Sequence, residues 1–259
     1  MFRLISFSAL FVSLLVGFLY ANENGSPIDE EDRKALWAAV ADAQGKRLPQ
    51  TAIKNLKSIY DSAVTDEAWP EASFALCSRL LMEGQINQPI HPYVIKQLQA
   101  AIPESPEPMK PVLKMMLAEY FFLYFQENRW RFQQRSQSSG TPGDDFETWD
   151  LATILNEIDK QFKEALAEKD TLRKIPIETY DRLLEAGTVS DKHRPTLYDF
   201  IAFRAIGFYS LDEQFIRQQS AFEISADSPI FASTKEFLNW KPETTDDDSY
   251  TLRAIQLLQ

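Results

Sequence analysis

PVLKMMLAEYFFLYFQENRWRFQQ (111–134) is the stretch that decides the fold. Leu113, Met116, Leu117, Tyr120, Phe121, Tyr124 and Phe125 recur at helical spacing and share one side of a single long helix. Pro111 suits the first turn, where its missing N–H costs nothing. The apolar stripe is wide, so this helix is expected to be covered on more than one side. It reads as the centre of a core rather than a ligand groove, because aromatic side chains supply so much buried area.

The flanking segments repeat the helical pattern. Ile28–Ala43 carries Leu36, Ala39, Val40 and Ala43 on one face, and Gly45 stops it. Pro49 opens a second helix with Ile53, Leu56, Ile59, Tyr60 and Val64 in phase. Trp69-Pro70 interrupts the pattern; Glu71–Met82 follows, with Phe74, Cys77, Leu80 and Leu81 in phase and Gly84 at its end. Such tight connections imply antiparallel neighbours, although no fixed repeat period stands out. Pro89 and Pro92 place His91 in a turn before a short helix, Tyr93–Ile102, and Pro103, Pro106, Pro108 and Pro111 punctuate a linker. After the central helix, SQSSGTPGDD (136–145) reads as an exposed loop. Asp150 is placed to cap a helix along Leu151, Ile154, Leu155, Ile158, Phe162, Ala165 and Leu166. Short helices follow from Pro176 to Leu184, from Pro195 through Phe208, over Phe231–Trp240, and over Tyr250–Gln259 behind Asp246-Asp247-Asp248. No stretch alternates apolar and polar residues over five or more positions. The expected fold is all-α, an irregular array of antiparallel helical hairpins resembling a helical repeat.

Composition narrows the function. The 259 residues carry 27 Lys and Arg against 38 Asp and Glu, a net charge of −11. An acidic chain lacks the basic face that a phosphate backbone requires, so nucleic acid is not an expected partner. One cysteine, Cys77, allows no intrachain disulfide, and with two histidines it leaves too little for a His/Cys metal cluster. Eight glycines are about half the average share. No GxSxG, HExxH, CxxC, P-loop or GxGxxG occurs, so neither catalysis nor a cofactor is expected. Glu119, Asp150 and Asp199 lie beside aromatic residues, as carboxylates of a helical-barrel hydrolase do, but such neighbours are also ordinary at helix ends. His193 precedes a helix start and reads as a solvated turn or cap residue. Arg129 and Arg131 flank Trp130; they suit an acidic partner, or pairing with Asp145, Glu147 or Asp150 across a helix junction.

The N-terminus, MFRLISFSALFVSLLVGFLYA, combines Arg3, an apolar run from Leu4 to Tyr20 and a small residue, Ala21. This is the pattern of a cleaved secretory signal over 1–21, so the chain is expected to be exported to the periplasm or cell envelope. An uncleaved membrane anchor is the alternative, with 17 apolar-run residues at the short limit of a span. The mature chain is expected to divide into helical hairpins over 22–104 and a second helical section over 105–259, packed on the first and continuing into further C-terminal domains.

Several stretches resemble the N-terminal helical region of bacterial alpha-2-macroglobulin-like proteins. They are LPQTAIKNLKSIYDSA (48–63), YFQENRWRFQQRS (124–136), FETWDLATILNEIDKQFKEALAE (146–168), RPTLYDFIAFRAIGFY (194–209) and the short AFEI (221–224). NRW, TWDL and RPTLYDF in this order carry most of the likeness. They single out Arg129, Trp130, Arg131, Trp149, Asp150, Arg194, Tyr198 and Asp199 as a structural or interaction cluster. The resemblance implies a non-catalytic helical section preceding a string of β-sandwich domains, in a class that traps or inhibits endopeptidases. Its partners would be proteins, such as peptidases or other envelope proteins. Some members carry a Cys-Gly-Glu-Gln thioester. Here Cys77 is followed by Ser78-Arg79-Leu80, and Glu213-Gln214 follows Leu211-Asp212, so that chemistry does not transfer. A free-standing periplasmic helical-repeat adaptor for protein–protein interaction is the alternative reading.

Overall fold

Local signals set the helix boundaries. The computed structural model describes residues 31–134, 143–184, 191–210, 224–242 and 249–259. The expected signal segment, most of the 136–145 loop, Gly187, Glu213-Gln214, most of AFEI and Asp246–Asp248 lie outside them. Helix α1 is Glu31–Gly45, α2 Pro49–Thr65 and α3 Trp69–Ile86. Proline occupies the first turn of both α2 and α3. Trp69-Pro70 therefore starts α3 rather than interrupting the pattern.

One turn geometry serves both junctions. Arg47 (φ 58°) and Glu67 (φ 56°) occupy the left-handed region. Leu48 N–H donates back to the Ala43 carbonyl and Ala68 N–H to the Ala63 carbonyl, each at 2.8 Å. This closure satisfies carbonyls the helix leaves open and turns the chain back on itself. Glycine usually takes the left-handed position; here Arg47 and Glu67 do, so the recurrence is hidden at the level of residue type. Gly84 is not a stop. It lies inside α3, where an added Cβ would come within 3.1 Å of Val94 Cγ2 and 3.4 Å of Ile90 Cγ2. The glycine lets α3 approach the next helix closely.

That helix, α4, spans Ile90–Glu104. It takes in His91 and Pro92 at its start and Pro103 in its last turn, where sequence reading put a turn and a linker. A 3₁₀ turn at Glu107–Met109 leads into α5, Lys110–Glu127. The expected single helix over 111–134 is two. Asn128 separates them: its side-chain amide donates to the Tyr124 carbonyl at 2.9 Å, and a six-residue helix α6, Arg129–Gln134, follows. Leu113, Met116, Leu117, Tyr120, Phe121, Tyr124 and Phe125 are all buried, as are Val112, Met115 and Ala118. A helix apolar nearly all round must sit in the core. Helix α5 packs against α4 on one side and against α7, Leu151–Ala165, on another. Lys114 pairs with Glu164 near one end of α7, while Phe121 meets Trp149 just before its other end, so the two helices run antiparallel.

The short α8, Lys169–Leu172, follows. Pro176 then opens a 3₁₀ turn, Ile177–Tyr180, where a regular helix was expected. Backbone bonds from Leu197 to Ile175 (2.9 Å) and from Ile177 to Pro195 (3.0 Å) tie that turn to the start of α9, Leu197–Tyr209. α9 lies along α5 and α7, with Phe208 against Phe122 and Phe162. A small helix α10, Thr234–Asn239, precedes α11, Tyr250–Leu258. α11 packs on α9, with the Tyr250 ring 5.3 Å from Phe208 and 5.5 Å from Tyr209. The fold is all-α. Among the described residues the single β-type contact is an isolated bridge, Pro176 with Thr196, and no helix is long and apolar enough to cross a membrane.

Candidate functional site

The eight residues singled out by sequence fall into two groups. The first lies where α5, α6 and α7 meet. Phe132 is buried against Tyr124 (ring centroids 6.0 Å) and Phe125 (5.8 Å), which seats α6 on the core. Arg129, Trp130 and Arg131 are then turned to solvent, with Trp130 71 % exposed. Arg131 donates to the backbone carbonyl of Glu147 rather than to a carboxylate. The half-buried Trp149 donates its Nε1–H to the Gly143 carbonyl at 2.6 Å and stacks on Phe121 at 5.7 Å. Asp150 is buried and caps α7, accepting from Thr153 N–H at 2.8 Å.

The second group gathers at the start of α9. Tyr198 is buried, with Lys169 Nζ 5.3 Å and the Arg173 guanidinium 4.9 Å from its ring centroid. Asp199 and Thr196 form a reciprocal capping box; Asp199 Oδ2 accepts from Thr196 N–H (3.1 Å) and Oγ1–H (2.7 Å). Arg194 is buried, with its guanidinium 5.1 Å from the Phe200 ring and Nε 3.4 Å from Asp191. Tyr198 sits beside α8, beyond the C-terminus of α7, whereas Asp150 sits at the N-terminus of α7. At 1.5 Å rise per residue the 15-residue helix holds the groups about 20 Å apart. They do not form one cluster.

The carboxylates considered for hydrolysis are also dispersed. Glu119 accepts a bidentate pair from one edge of the Arg204 guanidinium, Nε at 2.8 Å on Oε1 and Nη2 on Oε2. Asp150 and Asp199 hold caps. Two facing acids with a gap for substrate do not arise among these three. His91 Nδ1 lies 2.6 Å from Glu127 Oε2, which links the start of α4 to the end of α5, and His193 is exposed. Cys77 packs against the core, and burial pushes its thiol up to about 12. Among the described residues no three His, Cys, Asp or Glu side chains are grouped to hold a metal ion.

Two buried polar networks were not foreseen. In the first, Glu71, 2 % exposed, accepts from Arg33 Nε (2.8 Å) and Trp37 Nε1 (2.7 Å). Arg33 also reaches Ser62 Oγ (3.1 Å) and Asp66. In the second, Asp159 accepts from Tyr209 OH (2.9 Å) and pairs with Arg253, with Lys163 Nζ at 3.3 Å. The sequence signal was phase: Arg33 and Trp37 occupy the helix face that continues to Val40, and Asp159 follows the buried Ile158. A charge on or beside an apolar face needs a buried partner, but nothing local says which.

No protein-family model, curated protein or solved structure matches the chain.

Proposed function

We propose that this chain is the non-catalytic helical section of an exported, alpha-2-macroglobulin-like cell-envelope protein, acting through contacts with other proteins. The observation that supports it is where the motif residues go. Trp149 and Asp150 of TWDL, and Thr196, Tyr198 and Asp199 of RPTLYDF, cap helices or pack rings at element junctions. In NRW, Asn128 separates α5 from α6 and Trp130 is presented to solvent. The family likeness thus falls on scaffold residues. The solvent-facing part of it, Trp130 between two arginines, has the composition of an interaction anchor.

Reading the coding frame past Gln259 tests the proposal. Macroglobulin-type β-sandwich domains downstream are the expected result; a stop codon there overturns it. The export part is tested by intact mass of the secreted protein, with cleavage after Ala21 expected and a retained Met1 against it. A stop codon would favour the adaptor reading, which has its own support in the recurring Arg47 and Glu67 turns that fold α1, α2 and α3 into successive hairpins.

A further inference from the structure

Helix α2 packs on α1 and α3, burying Ala52, Leu56, Ile59 and Ala63, which leaves its opposite face to solvent. That face is the row Gln50, Lys54, Lys57, Asp61 and Thr65, all exposed, with Ser58 beside it. Arg47 and Glu67, in the two turns that bracket the helix, are exposed at its ends. The charges are sorted by sign. Arg47, Lys54 and Lys57 occupy one half of the face, Asp61 and Glu67 the other. None of these five side chains is in an ion pair among the described residues; Lys57 and Asp61, one turn apart, do not close on each other.

Helix polarity gives no reason for this order. The macrodipole favours acids at the N-terminal end and bases at the C-terminal end, yet α2 has no acid in its first turn and no base in its last. Arg47 also follows α1 and Glu67 also precedes α3, so those two signs suit the neighbouring helices. Lys54 and Asp61 have no such neighbour.

The order is self-complementary. Lys54 and Asp61 lie equally far on either side of the step from Lys57 to Ser58, and Arg47 and Glu67 straddle Lys57 in the same way. A second α2 laid antiparallel by a two-fold rotation at that step brings Lys54 of each copy to Asp61 of the other, and Arg47 towards Glu67. At a rise of 1.5 Å per residue these pairs fall about 5 Å and about 15 Å from the axis. Ser58 is small at the axis, and the half-buried Ile53, Tyr60 and Val64 line one flank of the row with apolar surface. A partner of uniform sign would meet like charges over half of this face, whereas a second copy meets opposite charges along all of it.

We propose that the outer face of α2 joins two copies of this chain in a weak, salt-sensitive antiparallel dimer, with Lys54 and Asp61 paired twice across the axis. The inference is independent of the family reading and holds whether or not β-sandwich domains follow.

The test is sedimentation velocity of the purified full chain from about 5 µM to about 500 µM, a range that brackets weak association. Wild type is expected to shift reversibly from monomer to dimer, and about 0.5 M NaCl to weaken the shift. Lys54→Glu and Asp61→Lys should each weaken the dimer about tenfold, because symmetry sets like charges against each other twice. The double variant should return to within about threefold of wild type, and an equimolar mixture of the two single variants should dimerise, since each supplies what the other lacks. Circular dichroism shows whether each variant is folded. Lys54→Gln and Asp61→Asn, which only remove charge, replace any that is not, with about a threefold weakening expected. A wild type that stays monomeric throughout overturns the dimer. So does association that salt or the single variants leave unchanged, or that the double variant fails to restore. A monomer that instead binds oligo-glutamate or oligo-lysine through this face makes the occupant a partner of one sign and likewise overturns the second copy.

Discussion

Asp159 is the point on which the C-terminal third of the fold is fastened. The carboxylate is 7 % exposed and joins three helices: its own α7, α9 through Tyr209 and α11 through Arg253. Tyr209 and Arg253 are 5 % and 8 % exposed. Lys163 also approaches at 3.3 Å, but its side chain is half in water and adds little. Asp159→Ala removes the acceptor of the buried Tyr209 hydroxyl and the countercharge facing a buried guanidinium. Breaking a buried pair from one side costs about 3–5 kcal/mol, most of it the penalty on the charge left behind. Asp159→Asn keeps an acceptor for Tyr209 and should cost about 2 kcal/mol. The double variant Asp159→Leu/Arg253→Met removes both charges and substitutes apolar volume but still orphans the Tyr209 hydroxyl, so it should recover part of the loss and lie about 1–3 kcal/mol below wild type. Urea unfolding at pH 7, followed by circular dichroism with a common m-value, measures all three. A cost below about 1 kcal/mol for Asp159→Ala, or additivity in the double variant, would refute the reasoning, because either result means that the pair is solvated.

Four further outcomes follow from the same structure. Burial holds Cys77 up to about 12 and Tyr180 up to about 12, and raises Tyr120 and Tyr209 as well, the last reinforced by the Asp159 charge. Raised pKa values mean the folded state retains protons that the unfolded state releases. The stability from Cys77 should be complete below about pH 8.5 and that from the tyrosines below about pH 10, each falling as pH rises toward about 12; denaturant midpoints between pH 7 and 11 check the sign. Cys77 should resist iodoacetamide at pH 8 in the native protein and react in 8 M urea (~8 M suffices to unfold most domains); equal rates would show an accessible thiolate. Asp150→Ala and Thr196→Ala should each cost about 1 kcal/mol by removing a cap, whereas Trp130→Ala on its exposed helix should stay within about 0.5 kcal/mol. Gly84→Val should destabilise by about 1–3 kcal/mol through contact with Val94 and Ile90, and pairing it with Val94→Ala should return part of that loss in the same urea assay.

Some of the site was legible and some was not, for identifiable reasons. The caps at Asp150 and Asp199 depend on a side chain and a backbone N–H three residues away, so short-range spacing sufficed to place the first, and the second belongs to a helix start that Pro195 marked. The break at Asn128 was missed because the apolar phase runs on through Phe132, while the Asn128 amide bonds back to the Tyr124 carbonyl at the end of α5. The turns at Arg47 and Glu67 were found as turns but not as copies, since their left-handed residues are not glycine. Grouping the motif arginines and carboxylates into one cluster failed because sequence order says nothing about which end of α7 each group occupies.

The sequence by itself determined most of the longer helices of the described residues, the apolar centre at 113–125 and the all-α class, because propensity, phase, proline and capping act within a few residues. The tertiary structure alone decided that Arg33 meets Glu71, that Asp159 meets Arg253 and that Arg182 covers Trp37. Those partners lie on different elements. A buried charge requires an opposite one, but which residue supplies it is set by how the helices pack.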